Sequence, residues 1–370
     1  MFTSTKNEKI TQLLNEWYIE IRSRHIDNAH RMKEQIDGMI QQLKEEEQES
    51  LQDKKLLLYY SLLDFRYNYL IDNLGVSKDS FDTIEAFDMP TDNFLSYYYH
   101  FFKAIHADAI GNHILAKDHY YKAESLLEYI PDELEKAEFY YKLGYSYYDN
   151  QQAFQAIKEV TKAKDMFSKH EGYEANVAFC DNMLGLACIN LKEWSLAEEH
   201  FAAAMDRFQK IGEEKFIIMV RHNLGWMYSN QNLSTLALRY LSKVVEKSPK
   251  HYKAIYAKAL EHYKLKEHEI ASQLIEKGLE ISNELKQEEF QHRYLILREM
   301  NNNSPAEQLE KAVLAGIEYF EREELYENVH ECYEIVAIKF YKEDNSSKAS
   351  EYFYLSTKAR KKATDKGALK

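Results

Sequence analysis

The sequence predicts an all-α chain in which a small N-terminal helical bundle precedes an array of paired helices. Three observations predict it. Gly (11) and Pro (4) are scarce among 370 residues, so few turns need special backbone geometry. Hydrophobic residues fall at helical spacing from the N-terminus onward. Small and aromatic residues then return at a fixed interval from about residue 94 to the end.

Residues 1–74 carry no repeat and read as three helices. Thr5 with Glu8 forms a capping box, and Ile10, Leu13, Leu14, Trp17, Tyr18 and Ile21 then line one face. A second helix starts at Asp27 and buries Met32, Ile36, Met39 or Ile40, and Leu43. The polar run from Lys44 to Asp53 separates it from a third, with Ser50 and Asp53 placed to cap that helix. Its body, from Leu56 through Leu58, Tyr60, Leu63 and Phe65 to Ile71, is apolar almost all round, as in a helix packed on more than one side. Three helices joined by short turns make a small bundle. Residues 75–93, with Gly75, Ser77, Ser80 and Pro90, read as a connector.

The array occupies residues 94–370. Leu143-Gly144 with Tyr147, Ala156 and Ala163 is matched by Leu184-Gly185 with Cys188, Ala197, Phe201 and Ala204. Leu224-Gly225 with Tyr228, Ala237 and Leu241 gives a third copy. Ala104, Ala116, Tyr120 and Ala123 form one upstream, and Ala337, Phe340, Ala349 and Phe353 one near the end. The small residues Ala104, Gly144, Gly185 and Gly225 lie 40, 41 and 40 apart. That exceeds the ~34 of the tetratricopeptide motif and implies lengthened helices or turns. Ala259, Ala271 and Gly278 mark a weaker copy, and the 78 residues from Ala259 to Ala337 leave room for one degenerate copy, about seven in all. Such repeats stack into a right-handed superhelix with a concave groove. The basic tail from Ala359 to Lys370 reads as the solvated, fraying end of the last helix.

Composition removes several function classes. A formal net charge of −13 argues against nucleic-acid binding, which needs Lys and Arg gathered on one face. Cys180, Cys188 and Cys332 are too few for a disulfide scaffold, and no CxxC is present for zinc. His100, His106, His113 and His119 miss the i, i+4 spacing of helix-borne metal ligands and read as surface histidines. No GxxxxGK[ST], GxGxxG or GxSxG occurs. With no apolar run of spanning length and no secretory signal, a cytoplasmic protein off the membrane is expected.

The groove carries the functional argument. Counting from the small residue, the positions three and two before it, one after it, and four and five after it face inward. These are Asn182, Met183, Leu186, Ile189 and Asn190 in one repeat, and His222, Asn223, Trp226, Ser229 and Asn230 in the next. In the repeat before them they include Tyr148 and Asp149. Four Asn therefore stand beside apolar neighbours. An Asn side chain offers a donor and an acceptor at once, as the backbone of an extended peptide requires. Glu334, inward in the last clear repeat, favours a cationic residue on that peptide.

The runs Asn15-Glu16-Trp17-Tyr18 with Ile21-Arg22, Ile40-Gln41-Gln42, and Leu57 to Arg66, with Glu135-Lys136-Ala137-Glu138-Phe139, resemble the Rap family of Bacillus over nearly the whole chain. The resemblance implies a cytoplasmic regulator that binds response-regulator receiver domains and is turned off by a short Phr-type signalling peptide in the repeats. Some members dephosphorylate the regulator's aspartyl-phosphate; others block its DNA binding. In phosphatase members a Gln between the second and third bundle helices orients the attacking water, with Mg²⁺ supplied by the regulator and no cofactor or metal of the Rap protein's own. Here that Gln is Gln52 or Gln48, because an insertion of about seven residues, Glu49 to Lys55, departs from the family pattern. Asn223 stands where the family has its anchoring Asn, and Asn190 where members commonly carry Asp. The expectation is a peptide-inhibited aspartyl-phosphate phosphatase. Non-catalytic sequestration of a DNA-binding regulator and a plain scaffold are the alternatives.

Overall fold

A computed structural model describes residues 6–44, 51–150 and 152–367, and every regular element among them is helical. The bundle is α1 (Lys6–Arg22), α2 (Ile26–Lys44) and α3 (Leu51–Ile71). The expected caps Thr5 and Ser50 lie outside the described residues. Ile10, Leu14, Trp17 and Ile21 are wholly buried, while Leu13 is only partly so. The indole N–H of Trp17 donates to the Ala29 carbonyl at 2.9 Å and ties α1 to α2. On α2, Ile36, Ile40 and Leu43 turn inward. Helix α3 packs on α1 and α2 and also on the first repeat helix, which is why it is apolar on several sides. The connector holds one 3₁₀ turn (Asn73–Gly75) and the short α4 (Asp82–Glu85), with Phe81 fully buried before it.

Seven helix pairs follow among the described residues. They are α5 (Asn93–Ala109) with α6 (His113–Glu124), α7 (Glu133–Asp149) with α8 (Ala153–Phe167), and α9 (Glu174–Asn190) with α10 (Trp194–Lys210). Next come α11 (Glu214–Asn230) with α12 (Ser234–Lys247) and α13 (Tyr252–Lys264) with α14 (His268–Glu284). The last are α15 (Glu288–Asn301) with α16 (Ala306–Arg322) and α17 (Tyr326–Lys342) with α18 (Ser346–Gly367). The recurring glycines act as close-approach points. A Cβ on Gly144 would stand 2.5 Å from Val160, on Gly185 2.7 Å from Phe201, and on Gly225 2.7 Å from Leu241.

Four expectations need correction. Scarce glycine does not mean ordinary turns: Lys192, Asn232, Lys266, Asn303 and Asp344 each sit at φ between 50 and 62° where a first helix gives way to its second. The Glu193 N–H bonds the Cys188 carbonyl at 2.9 Å and the Lys192 N–H the Ile189 carbonyl at 2.9 Å, closing α9 through a left-handed residue. The tail is the solvated end of the last helix, as expected, with Arg360, Lys361 and Lys362 exposed, but it is not frayed at Ala359: α18 continues to Gly367, with Ala359 and Ala363 buried. The histidines are not a surface set, since His106 and His119 are buried. His106 Nε2 meets the Ser77 carbonyl at 3.0 Å, and the Nδ1 atoms of His100 and His119 lie 3.0 Å apart. Finally, the second helix begins one residue before Asp27, at Ile26.

The chain folds as two compact units, residues 1–150 with 154–184, and residues 185–370 with 151–153. Among the described residues no helix is long and apolar enough to cross a membrane.

Candidate functional site

In the first unit, the bundle is fastened to α7 by buried charge. Glu135 and Glu138, one turn apart on α7, are both fully buried. Glu135 accepts from the Tyr18 and Tyr97 hydroxyls, each at 3.0 Å, and from Arg22 Nη1 at 3.2 Å. Arg22 also reaches Asp132 at 2.6 Å, and its carbonyl accepts from Asn176 Nδ2 at 3.2 Å. Glu138 takes Arg66 Nη2 at 3.0 Å and stands 3.8 Å from Arg24. Burial holds the Glu135 carboxyl above its ordinary value, against the pull of Arg22. One turn further along α7, Lys142 is buried with its amine 4.5 Å over the Tyr69 ring. Burial and the neighbouring Arg66 guanidinium lower its pKa to about 7.

The bundle end that carries the expected catalytic Gln is tethered at its base. Gln52 is the second residue of α3, and Asp53 beside it accepts from Asn7 Nδ2 of α1 at 2.7 Å. Gln48 lies outside the described residues. Tyr148 and Asp149 close α7, both half-buried. The Asp149 carboxylate is the first cause holding the Tyr145 hydroxyl above its usual range. Asn182, also in this unit, is buried on α9.

The second unit holds the other expected groove residues. Leu186 and Trp226, each one residue past a packing glycine, are half-buried on α9 and α11. Asn190 and Asn230 are the exposed last residues of those two helices and so occupy the same register. Asn223 differs, being buried, with its Oδ1 3.3 Å from Nδ1 of His222. His222 stacks on His251 at 4.8 Å between centroids, and burial followed by that second ring lowers its pKa to about 3. It is therefore a neutral imidazole that can donate to Asn223 and hold the carboxamide in one orientation. Ser229, counted as groove-facing, is instead buried in an interlock: it donates to Glu261 at 2.5 Å, which also holds Lys264 at 2.6 Å. Glu334 is exposed on α17.

Position counting missed the residues that fasten the bundle. Only part of their signal is local: Arg22 and Arg66 interrupt apolar helix faces, whereas Glu135 and Glu138 flank Lys136 and read as an ordinary charged turn. Buried carboxylates of this kind require buried cations. His222 was counted only as an inward position; its positioning role follows from its stacking partner, 29 residues on.

Comparison with known proteins agrees with this architecture. Residues 4–72 match the family model described as response regulator aspartate phosphatase H, N terminal. Over 366 residues the chain is 25% identical to response regulator aspartate phosphatase I of Bacillus subtilis (strain 168), covering 95% of this chain and 91% of that one. It is 26% identical over 356 residues to response regulator aspartate phosphatase A of the same organism, covering 92% and 91%. Among solved structures, a Rap protein complexed with competence and sporulation factor superposes with a TM-score of 0.83 at 23% identity, over 97% of this chain and 99% of that one. The bundle thus matches an aspartate phosphatase family model, and the likeness to Rap proteins runs from the bundle to the last repeat.

Proposed function

We propose that this protein binds the receiver domain of a response regulator through its N-terminal bundle and hydrolyses the aspartyl-phosphate there. A short peptide held in the repeats switches it off. The observation that carries this reading is the family match over residues 4–72, which coincides with the three-helix bundle bearing Gln52. A Gln carboxamide neither attacks nor ionises; it fixes a water in line with the scissile bond, an effect of position alone. Mg²⁺ would come with the receiver domain and neutralise the phosphoryl oxygens. Asn190, Asn223 and Asn230, with Leu186 and Trp226, supply amide and apolar groups for an extended peptide.

The test is to mix the purified protein with a phosphorylated receiver domain and Mg²⁺ and follow phosphate release. Fast release that Gln52→Ala or Gln48→Ala abolishes is the expected result. Tight complex formation with the phosphoryl group left intact would instead establish sequestration. The insertion at Glu49 to Lys55 is the observation favouring that second reading, because it alters the segment that would meet the receiver. A protein that forms no complex with receiver domains would be a scaffold.

A further inference from the structure

The second unit contains a cavity of about 270 Å³ at the C-terminal ends of α13, α15 and α17. Its apolar lining is Met300, Leu309, Ile335 and Ile338, with Tyr263. Ile338 is 41% exposed, so an isoleucine side chain lines this cavity and still meets water. The volume falls just short of the roughly 300–1,000 Å³ that drug-sized ligands occupy, which suits a single side chain rather than a whole peptide.

The polar groups around it are unequal. Lys339 is committed, 2.9 Å from Asn303 Oδ1 and 3.2 Å from Glu343. Glu299 is committed as well, accepting from Ser304 Oγ at 2.7 Å and Gln308 Nε2 at 2.8 Å. Lys342, also lining the cavity, is exposed and has no hydrogen-bond or ion-pair partner among the described residues. The site thus pairs an apolar lining with one uncommitted cation.

Register connects it to the candidate groove. Counted from Ala337, Ile335 lies two before, Ile338 one after and Lys342 five after; counted from Ala259, Tyr263 lies four after. Ile338 therefore takes the position that Leu186 and Trp226 hold in earlier repeats, and Lys342 the position of Asn190 and Asn230. The same face that offers neutral amides near the middle of the array offers a cation and an apolar lining near its end.

We propose that this cavity is a terminal subsite of the groove that takes the C-terminal residue of the bound peptide. An aliphatic or aromatic side chain meets the apolar lining, and the free α-carboxylate pairs with Lys342. The inference rests on the peptide-groove reading above. A carboxylate and an apolar side chain on one α-carbon are what a peptide's last residue presents, and charge complementarity selects the C-terminus over the N-terminus.

The test is affinity selection by the full-length protein from a degenerate pentapeptide pool with free C-termini. The captured sequences are then resynthesised as free acids and as C-terminal amides. The expected result is enrichment of Leu, Ile, Val, Met or Phe at the last position only, with acids binding about tenfold or more tighter than amides. Lys342→Gln should remove the acid preference, and Ile338→Asp the side-chain preference. Equal affinity of acid and amide for the unmodified protein would overturn the subsite, as would capture of no peptide at all. If captured peptides are weakened by Asn223→Ala but unaffected by Lys342→Gln, the groove stands and the subsite falls. Sensitivity to Lys342→Gln with indifference to Asn223→Ala would sustain the subsite and remove the groove assignment.

Discussion

Lys142 is a buried amine that its surroundings hold close to neutrality. It is buried near Arg66 and Arg24, with the Tyr69 ring 4.5 Å from its amine and the Glu138 and Asp108 carboxylates only partly offsetting the burial. A cation–π contact offers about 1–2 kcal/mol at a desolvated site, less than a buried ammonium loses with its hydration. The pH dependence has a definite sign. The amine titrates at its ordinary value of 10.5 when unfolded and at about 7 when folded. Between those values the unfolded chain binds more protons, so stability rises with pH across that window. It is lost as pH falls toward 7. Lys142→Met should therefore raise the melting temperature near pH 7.5, and its advantage should shrink by at most about 1.4 kcal/mol per pH unit toward pH 9.5. Chemical denaturation of both proteins across that range measures it. A difference independent of pH would show that the amine is charged and paired in the folded protein.

At the scale of the helix, the repeat is a rule about volume between two partners. Gly144 and Gly225 occupy equivalent places, yet their neighbours differ. A Cβ on Gly144 would meet the branched Val160 at 2.5 Å and backbone atoms of Ala156 and Val160 at 3.2 Å. On Gly225 it would meet only the Leu241 side chain below 3.0 Å, with the nearest backbone atom at 3.5 Å. Valine is stiff at χ1, whereas leucine can swing its tip aside. Gly144→Ala should thus cost more than Gly225→Ala, the former in the upper part of the roughly 1–3 kcal/mol typical of overpacking. Thermal melts of the two variants decide it; equal losses would mean that helix α8 shifts as a body.

The same volume rule explains why one copy was hidden in the sequence. In α14 and α15 the roles of small and large are exchanged. Gly278 on α14 leaves room for Tyr294 of α15, whose Cζ would lie 2.0 Å from a Cβ there, and whose hydroxyl bonds the Tyr252 carbonyl at 2.7 Å. A search for a small residue on the first helix of each pair passes over this arrangement. The turns were hidden for a related reason, since Lys, Asn and Asp stand in left-handed positions where glycine is the usual signal.

For the whole molecule, the first unit joins the bundle to the early repeats by ion pairs rather than by apolar area alone. Removing one partner of a buried pair costs roughly 3–5 kcal/mol, because the other charge is left without compensation. Glu138→Ala strands Arg66 and Arg24 together and should lower stability by about that amount in a urea titration, while Asp118→Ala at the exposed Lys122 pair should cost under about 1 kcal/mol. Comparable losses at both sites would mean that Glu138 is hydrated.

Helical periodicity and residue volume made the helices and the order of bundle and array legible in the chain, and they put Asn190 and Asn230 at one register, the last residue of α9 and of α11. Which polar residues are buried depends on packing between helices far apart in the chain. Glu135, Glu138 and Lys142 look like ordinary helix positions until other helices cover them. Desolvation depends on neighbours distant in the chain, and no local pattern records it.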